Sequence, residues 1–179
     1  PGFEGIFNTK YLRRIKVVDR YYMTYNDYGH LNRRDDEVGA ALGMLIGPKS
    51  VITFPSGGQQ LPERGFYEVS GLAWSGGGAI SRVEISTDGG RRWEDAEIQG
   101  TAHPMSHTRF SYQWTWDGQE TELLSRSTDD TGQVQPTRAQ IAEFFGERVD
   151  DESFRVRGMD NSVQPWRIAS DGSVHNAIT

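Results

Sequence analysis

Apolar and polar residues alternate with a period of two along most of the middle of this chain, the pattern of half-buried β-strands. Lys49 to Phe54 predicts a first strand around Val51 and Ile52, ended by Pro55-Ser56-Gly57-Gly58. Gly65 to Trp74 predicts a second. The stretch Ser70 to Gly100, SGLAWSGGGAISRVEISTDGGRRWEDAEIQG, predicts three strands joined by two glycine-rich turns. In it Val83 and Ile85 alternate with Arg82 and Glu84. Thr87-Asp88-Gly89-Gly90 predicts a hairpin turn, because Asp and Gly tolerate the positive φ such turns need. Trp93, Ala96 and Ile98 then mark the return strand. Arg109 to Trp116 sets Phe110, Tyr112, Trp114 and Trp116 on one side and Ser111, Gln113 and Thr115 on the other. Asp117-Gly118 is a turn, and Glu120 to Thr128 is a further strand carrying Leu123 and Leu124. The period changes once: Thr137 to Phe145 predicts a helix with Thr137 as its cap, Ile141, Phe144 and Phe145 on one face, and Gly146 as its stop. Val163 to Ala169 closes the pattern around Trp166 and Ile168, ahead of a polar tail. Short strands at this spacing with Gly/Asp turns predict an all-β sandwich of immunoglobulin-like (E-set) type.

The first 47 residues read differently. Asn8 to Arg20 predicts a short strand around Ile15, Val17 and Val18, crowded by Lys10, Arg13, Arg14, Lys16 and Arg20. Those charges fit either a solvated strand edge or a contact to an anion. Tyr21 to Asn32 holds four tyrosines without a clear period, as an extended segment lying over another surface would. Arg33 to Gly47 reads as a linker or a weak short helix.

Composition narrows the chemistry. A chain of 179 residues buries roughly 70% of its unfolded surface and needs no metal or disulfide to fold. It has no cysteine, which excludes disulfides, thiolate metal sites and a cysteine nucleophile within it. Nineteen basic against 25 acidic residues leave a net charge of -6, unlike a general nucleic-acid binder. No apolar run approaches the roughly 18 residues of a membrane span. The chain begins at Pro1 with no methionine, as expected of a fragment or processed product.

Candidate sites are few. His103 and His107 are four apart, but Pro104 between them breaks the helix that a metal pair would need, and His30 and His175 stand alone. Gly76-Gly77-Gly78 lacks the strand–loop–helix context of a phosphate loop and reads as a tight turn or close backbone approach. No GxSxG presents a nucleophile. Asp88, Glu94, Asp129 and Asp130 read as turn formers and surface charges. Ser86 to Trp93 is similar to the Asp-box hairpin of sialidase-type propellers, a structural motif, with Arg92 where that motif has threonine. The aromatic row Phe110 to Trp116 is either a buried core row or the platform of a stand-alone immunoglobulin-like binding module.

Three stretches carry a family resemblance. GLAWSGGGAISRVEISTDGGRRW at Gly71 to Trp93 and SRSTDDTGQVQPTRAQI at Ser125 to Ile141, with its Gln135-Pro136 pair, resemble the C-terminal dimerisation domain of the sulfite oxidase family of molybdenum enzymes. PGFEGIFNTKYLRRIKV at Pro1 to Val17 resembles the end of that family's preceding molybdopterin domain. KSVITFPSGGQQLP, HTRF and NSVQPW look most like the branch formed by the molybdenum subunit (SoxC) of the sulfur dehydrogenase of bacterial thiosulfate oxidation. The resemblance implies residues 1–20 as the end of a molybdopterin domain, 21–47 as a linker, and 48–179 as a sandwich that pairs subunits into a homodimer. It further implies a periplasmic parent enzyme that oxidises sulfite or a protein-bound sulfane sulfur at a molybdenum–molybdopterin centre. That enzyme would pass electrons to cytochrome c and draw substrate from a sulfur-carrier protein. The family's metal-ligating cysteine lies upstream, so this chain alone would be inactive. Asn8, Thr9 and Lys10 match the family's pterin-binding segment, with Lys10 toward the cofactor phosphate, and Arg157 in the Arg157-Gly158 pair is the nearest match to its substrate-contacting arginine.

Overall fold

A computed structural model describes residues 2, 11–17, 19, 31–32, 41–42, 45–145 and 160–178. Two short strands, β1 (Leu31–Asn32) and β2 (Ala41–Leu42), pair antiparallel ahead of the main body. A strand therefore stands at 41–42, inside the segment read as linker or helix. The strand expected around Ile15 and Val17 does not form: residues 12–17 have no regular structure, and Ile15 and Val17 are exposed. Basic residues interrupt their alternation, and no described strand pairs with them. Val18 lies outside the described residues.

The body is a two-sheet antiparallel sandwich. One sheet joins β3 (Lys49–Phe54), β4 (Gly65–Trp74), β8 (Thr108–Trp116) and β7 (Glu97–Gln99) in the order β3-β4-β8-β7. The other joins β5 (Ile80–Ser86), β6 (Glu94–Asp95), β9 (Thr121–Asp129), β10 (Trp166–Ile168) and β11 (Val174–Asn176) in the order β11-β10-β9-β5-β6. Strands of half-buried alternation meet face to face, so Ile52, Val69, Val83, Ile85, Phe110, Leu123 and Ile168 form one closed core. Each large apolar side chain so buried contributes roughly 1.5–3 kcal/mol. Gly71 makes room for Phe110 at the centre. A Cβ there would lie 2.2 Å from the Phe110 ring and 2.3 Å from the Val51 carbonyl oxygen.

Three features depart from the one-dimensional pattern. The first glycine-rich turn is not a hairpin: β4 and β5 belong to different sheets, and Ser75–Ala79 carries the chain from one to the other. The return strand after Trp93 splits. β6 pairs with β5, Ala96 N–H still reaches the Val83 carbonyl at 2.9 Å, and β7 then pairs with β8. The polar tail supplies β11, because Trp166, Arg167 and Ile168 find Asn176, His175 and Val174 opposite. The expected helix is present as α1 (Arg138–Phe145). Thr137 Oγ1 accepts the Gln140 N–H at 3.2 Å and Gln140 Oε1 accepts the Thr137 N–H at 2.8 Å, a reciprocal capping box. Among the described residues no helix is long and apolar enough to cross a membrane.

Candidate functional site

The two motif stretches, Gly71 to Trp93 and Ser125 to Ile141, fold onto each other. β5 and β9 set Val83 opposite Ser127 and Ile85 opposite Ser125. At the upper end, Ser75 Oγ donates to Asp129 Oδ2 at 2.8 Å, while Asp129 Oδ1 accepts Thr131 Oγ1 at 2.6 Å and the Thr131 and Gln133 amides at 3.1 Å. Asp129 is thus a turn former but not a surface charge, being 1% exposed. Burial pushes its carboxyl up, yet the hydrogen bonds from Thr131, Ser75 and Gln133 outweigh that and hold it below the ordinary value. The glycine run is a close backbone approach. Gly76 N–H donates to the Ile46 carbonyl and Ile46 N–H to the Gly2 carbonyl, both at 2.8 Å, and a Cβ on Gly76 would sit 2.3 Å from that Gly2 oxygen.

At the lower end the Ser86 to Trp93 turn closes on itself. Ser86 Oγ donates to Asp88 Oδ1 and accepts the Gly90 N–H at 2.8 Å. Asp88 Oδ1 also accepts the Arg91 and Arg92 amides, each at 3.0 Å. The Arg92 contact is made by backbone, so arginine in place of the Asp-box threonine leaves the hairpin intact. These bonds, the Arg92 amide foremost, hold the Asp88 carboxyl below its ordinary value. Trp93 Nε1 donates to the Gly90 carbonyl at 3.1 Å, which fixes the indole on the outer face of the second sheet.

On that face Arg126 lies 4.3 Å over the Trp93 ring and holds Glu84 with both ends of its guanidinium, at 2.7 and 2.9 Å. Arg82 reaches Glu84 at 3.2 Å and Asp95 at 2.6 Å. The alternation pointed Glu84 outward correctly, but these arginines cover it and leave it 4% exposed. A groove of about 530 Å³ opens between this face and the first turn of α1, walled by Trp93, Leu124, Arg126, Val134, Val163 and Ile178. A shallower cleft shares Gly89 with it and carries Asp88, Arg91, Glu120 and Glu122.

Gln135, of the Gln135-Pro136 pair, is a polar bolt between the sheets. Its Oε1 accepts Ser50 N–H at 2.8 Å, Ser50 Oγ at 2.7 Å and Ser127 N–H at 3.2 Å, and its Nε2 donates to the Ser162 carbonyl at 3.1 Å. Ser50 lies on β3, an edge strand. Trp166 Nε1 caps the Ile52 carbonyl on that edge at 3.0 Å, and Asn161 Nδ2 caps that of Pro48 at 3.1 Å. These two carbonyls are thereby withheld from a further strand. Beside it Lys49 Nζ donates to the Asp160 carbonyl at 2.6 Å, and burial lowers the Lys49 pKa against the pull of the Asp160 carboxylate.

Among the described residues, those singled out for chemistry are not brought together. Asn8, Thr9, Lys10 and Arg157 lie outside the described residues, as does His30. His103 and His107 occupy an exposed loop without helix, with the His107 ring 5.2 Å from Trp74. His175 Nε2 faces Ser173 Oγ. Trp114 and Trp116 are 8% and 3% exposed, so the aromatic row is core and offers no binding platform. The described residues do not fit a molybdenum–pterin group. The chain has no thiolate, no three His, Asp or Glu side chains converge among the described residues, and Arg13, Arg14 and Lys16 are exposed. No redox step is therefore assigned to this chain. Sequence reasoning missed Glu84, Arg126 and the groove, whose one signal was the outward Arg82, Glu84 and Arg126 on strands otherwise bound for the core.

Residues 44–157 match the family model of the Mo-co oxidoreductase dimerisation domain. The crystal structure of the sulfane dehydrogenase SoxCD from Paracoccus pantotrophus is similar, with a TM-score of 0.65 and 38% identity over 77% of this chain and 34% of that one. Mitochondrial sulfite oxidase of Rattus norvegicus is 32% identical over 76% of this chain and 28% of its own length. An NADH nitrate reductase of Solanum lycopersicum is 29% identical over 77% of this chain and 18% of its own. The chain thus spans about a third or less of each relative. The resemblance carried by Gly71 to Trp93 and Ser125 to Ile141 is to the same enzymes, and the chain belongs to the Mo-co oxidoreductase dimerisation domain family.

Proposed function

We propose that this chain is the C-terminal pairing part of a periplasmic molybdenum-cofactor oxidoreductase that oxidises sulfite or a protein-bound sulfane sulfur. The family match over residues 44–157 carries this reading. The 38% identity to the sulfane dehydrogenase favours the sulfur-oxidising branch over nitrate reduction. The chain's own work is mechanical: it presents a rigid outer face and positions the part of the enzyme that precedes it. Chemistry belongs to that preceding part, which would hold the molybdenum–molybdopterin group, accept sulfur substrate, from a carrier protein in the sulfane case, and release electrons to cytochrome c. Within this chain Asn8, Thr9 and Lys10 are proposed to reach the cofactor and Arg157 the anionic substrate.

The test is made on two proteins. Light scattering of the 179-residue chain is expected to give a dimer without molybdenum. The product of the extended reading frame is expected to bind molybdenum and to reduce cytochrome c with sulfite or a thiol-bound sulfane. A chain that stays monomeric defeats the pairing role. An extended product that reduces nitrate and ignores sulfur substrates defeats the reaction.

A further inference from the structure

We infer that Asp117-Gly118, in the turn between β8 and β9, is a site of spontaneous backbone modification, where the Asp117 carboxyl closes on the next peptide nitrogen and reopens as isoaspartate. Ring closure is least hindered where the following residue has no side chain. The sequence holds three such pairs: Asp88-Gly89, Asp117-Gly118 and Asp171-Gly172. Gly89, Gly118 and Gly172 have φ values of 74°, 88° and 83°, so glycine conformation does not separate them. What separates them is whether the reacting groups are already held. Attack requires the glycine amide to give up its proton and the aspartate Cγ to move onto that nitrogen. Gly89 N–H donates to the Glu122 carbonyl at 3.1 Å, and Asp88 Oδ1 is held by Ser86 Oγ and by the Arg91 and Arg92 amides. Gly172 N–H donates to the Ala169 carbonyl at 2.9 Å, and its own carbonyl accepts the Leu61 N–H at 2.9 Å. Asp171 Oδ1 is held by both the amide and the hydroxyl of Ser173. These bonds also keep the Asp88 and Asp171 carboxyls ionised to lower pH, and a carboxylate is a poorer electrophile than the acid. At Asp117-Gly118 the nitrogen is not held: among the described residues the Gly118 N–H has no hydrogen-bond acceptor. Asp117 is exposed, and its one hydrogen bond is from the Gln119 amide to Oδ1 at 2.9 Å, within the same turn.

The step balances with water as its only co-reactant. A bond forms between the Gly118 nitrogen and Asp117 Cγ, and the Cγ–O bond of the carboxylic acid breaks. The amide proton leaves with that hydroxyl as water. Water then opens the five-membered imide. Cleavage between Cγ and nitrogen restores aspartate. Cleavage between the Asp117 main-chain carbonyl carbon and nitrogen leaves the main chain running through Cβ and Cγ, as isoaspartate. Composition is unchanged, but the backbone gains one methylene in the turn that carries the chain from the β8 sheet to the β9 sheet. Trp116 Nε1 donates to the Gln119 carbonyl across this turn at 2.8 Å, so the added methylene falls inside the loop that anchors a core indole.

Incubation of the 179-residue chain at neutral pH for several weeks tests the assignment, with isoaspartate located in proteolytic peptides by electron-transfer fragmentation. Attack at Asp88 or Asp171 must first break the bonds that hold the amide and the carboxylate, so isoaspartate at 117 should form at least about tenfold faster than at either. In a parallel sample unfolded in guanidinium chloride the three rates should converge, because the locks are properties of the fold. Asp117→Glu, whose longer side chain closes the ring far more slowly, should abolish the signal at that position and leave the circular dichroism unchanged. Ser86→Ala, which removes one donor to Asp88, should raise isoaspartate at 88 and not at 171. Isoaspartate that spreads evenly over the three pairs of the folded chain, or gathers at 88 or 171, overturns the assignment. So does a folded chain that forms none at 117 while the unfolded chain reacts there. A preference for 117 that persists at full size in guanidinium chloride overturns the part assigned to the fold.

Discussion

Gln135 shows how much one side chain settles in this molecule. It is 2% exposed, and its amide satisfies backbone and hydroxyl groups on β3, on β9 and at Ser162. Gln135→Ala would leave the Ser50 amide and the Ser162 carbonyl without their partners in a region closed to water. Each such orphan costs about 1–3 kcal/mol, so the loss should be about 2–4 kcal/mol, read from the urea midpoint at constant slope. A loss below about 0.5 kcal/mol would mean that water enters and replaces the amide. The pair Gln135-Pro136 stood out in the sequence only by resemblance. Its partner Ser50 is 85 residues away, a separation at which no local pattern reports a contact. The same distance effect hid Glu84, whose arginine is 42 residues on, and the burial of Asp129, whose serine lies 54 residues back. Phe110 and Trp114 were readable as core because alternation is a property of the strand itself. Gly71 could not be, since the need for glycine there comes from the neighbouring Phe110 ring and Val51 carbonyl.

Strand boundaries follow the same logic at the level of elements. β4 and β8 run as the alternation over Gly65 to Trp74 and Arg109 to Trp116 predicted, because each turns one face toward the core along its length. Sheet membership was not available from pattern. A glycine run permits either a hairpin or a crossover, and the choice was made by Gly76 docking on Ile46 and Gly78 on Asp130. The Ser86 to Trp93 turn is the element whose chemistry was most nearly complete in sequence, since its acceptors and donors lie within four residues of one another. It also aims Trp93 at Arg126, which links the local turn to β9. Ser86→Ala removes the acceptor of the Gly90 amide at a position 1% exposed. The expected cost is about 1–2 kcal/mol. Faster hydrogen exchange should appear at Gly90 and in the Trp93 indole while β4 and β8 keep their protection. Equal acceleration across both sheets would mean that the turn has no independent role.

For the molecule as a whole, the ion and hydrogen-bond pattern sets a stability profile with a defined acid limb. The carboxyls of Asp88, Asp129, Asp160 and Asp171 are all held below the ordinary aspartate range. Hydrogen bonds do this at Asp88 and Asp171, and at Asp129 and Asp160 they prevail over the opposing effect of burial. A carboxyl depressed in the folded state stays ionised there while its unfolded counterpart, near about 3.9, has begun to bind protons. Its contribution is therefore fully present above the unfolded value and is lost as pH falls through the folded one. On the alkaline side burial, followed by the hydrogen bond to Glu94, raises the Tyr112 hydroxyl to about 12. Its contribution is present below the ordinary tyrosine value near about 10 and disappears as pH climbs toward about 12. Lys49 works the other way, since burial disfavours its charge and the folded state gains as pH rises through its lowered value. Urea midpoints measured from pH 2 to 11 should thus be flat between about 5 and 8 and fall steeply below pH 4. Asp129→Asn separates local linkage from general charge repulsion. It should be less stable than wild type at pH 7, and the difference should close as the pH drops below the ordinary aspartate value, where the wild-type carboxylate is protonated too. Parallel acid limbs for the two proteins would show that Asp129 stays protonated or exposed in the fold, and the hydrogen-bonded turn that joins the two sheets at Ser75 would then have to be redrawn.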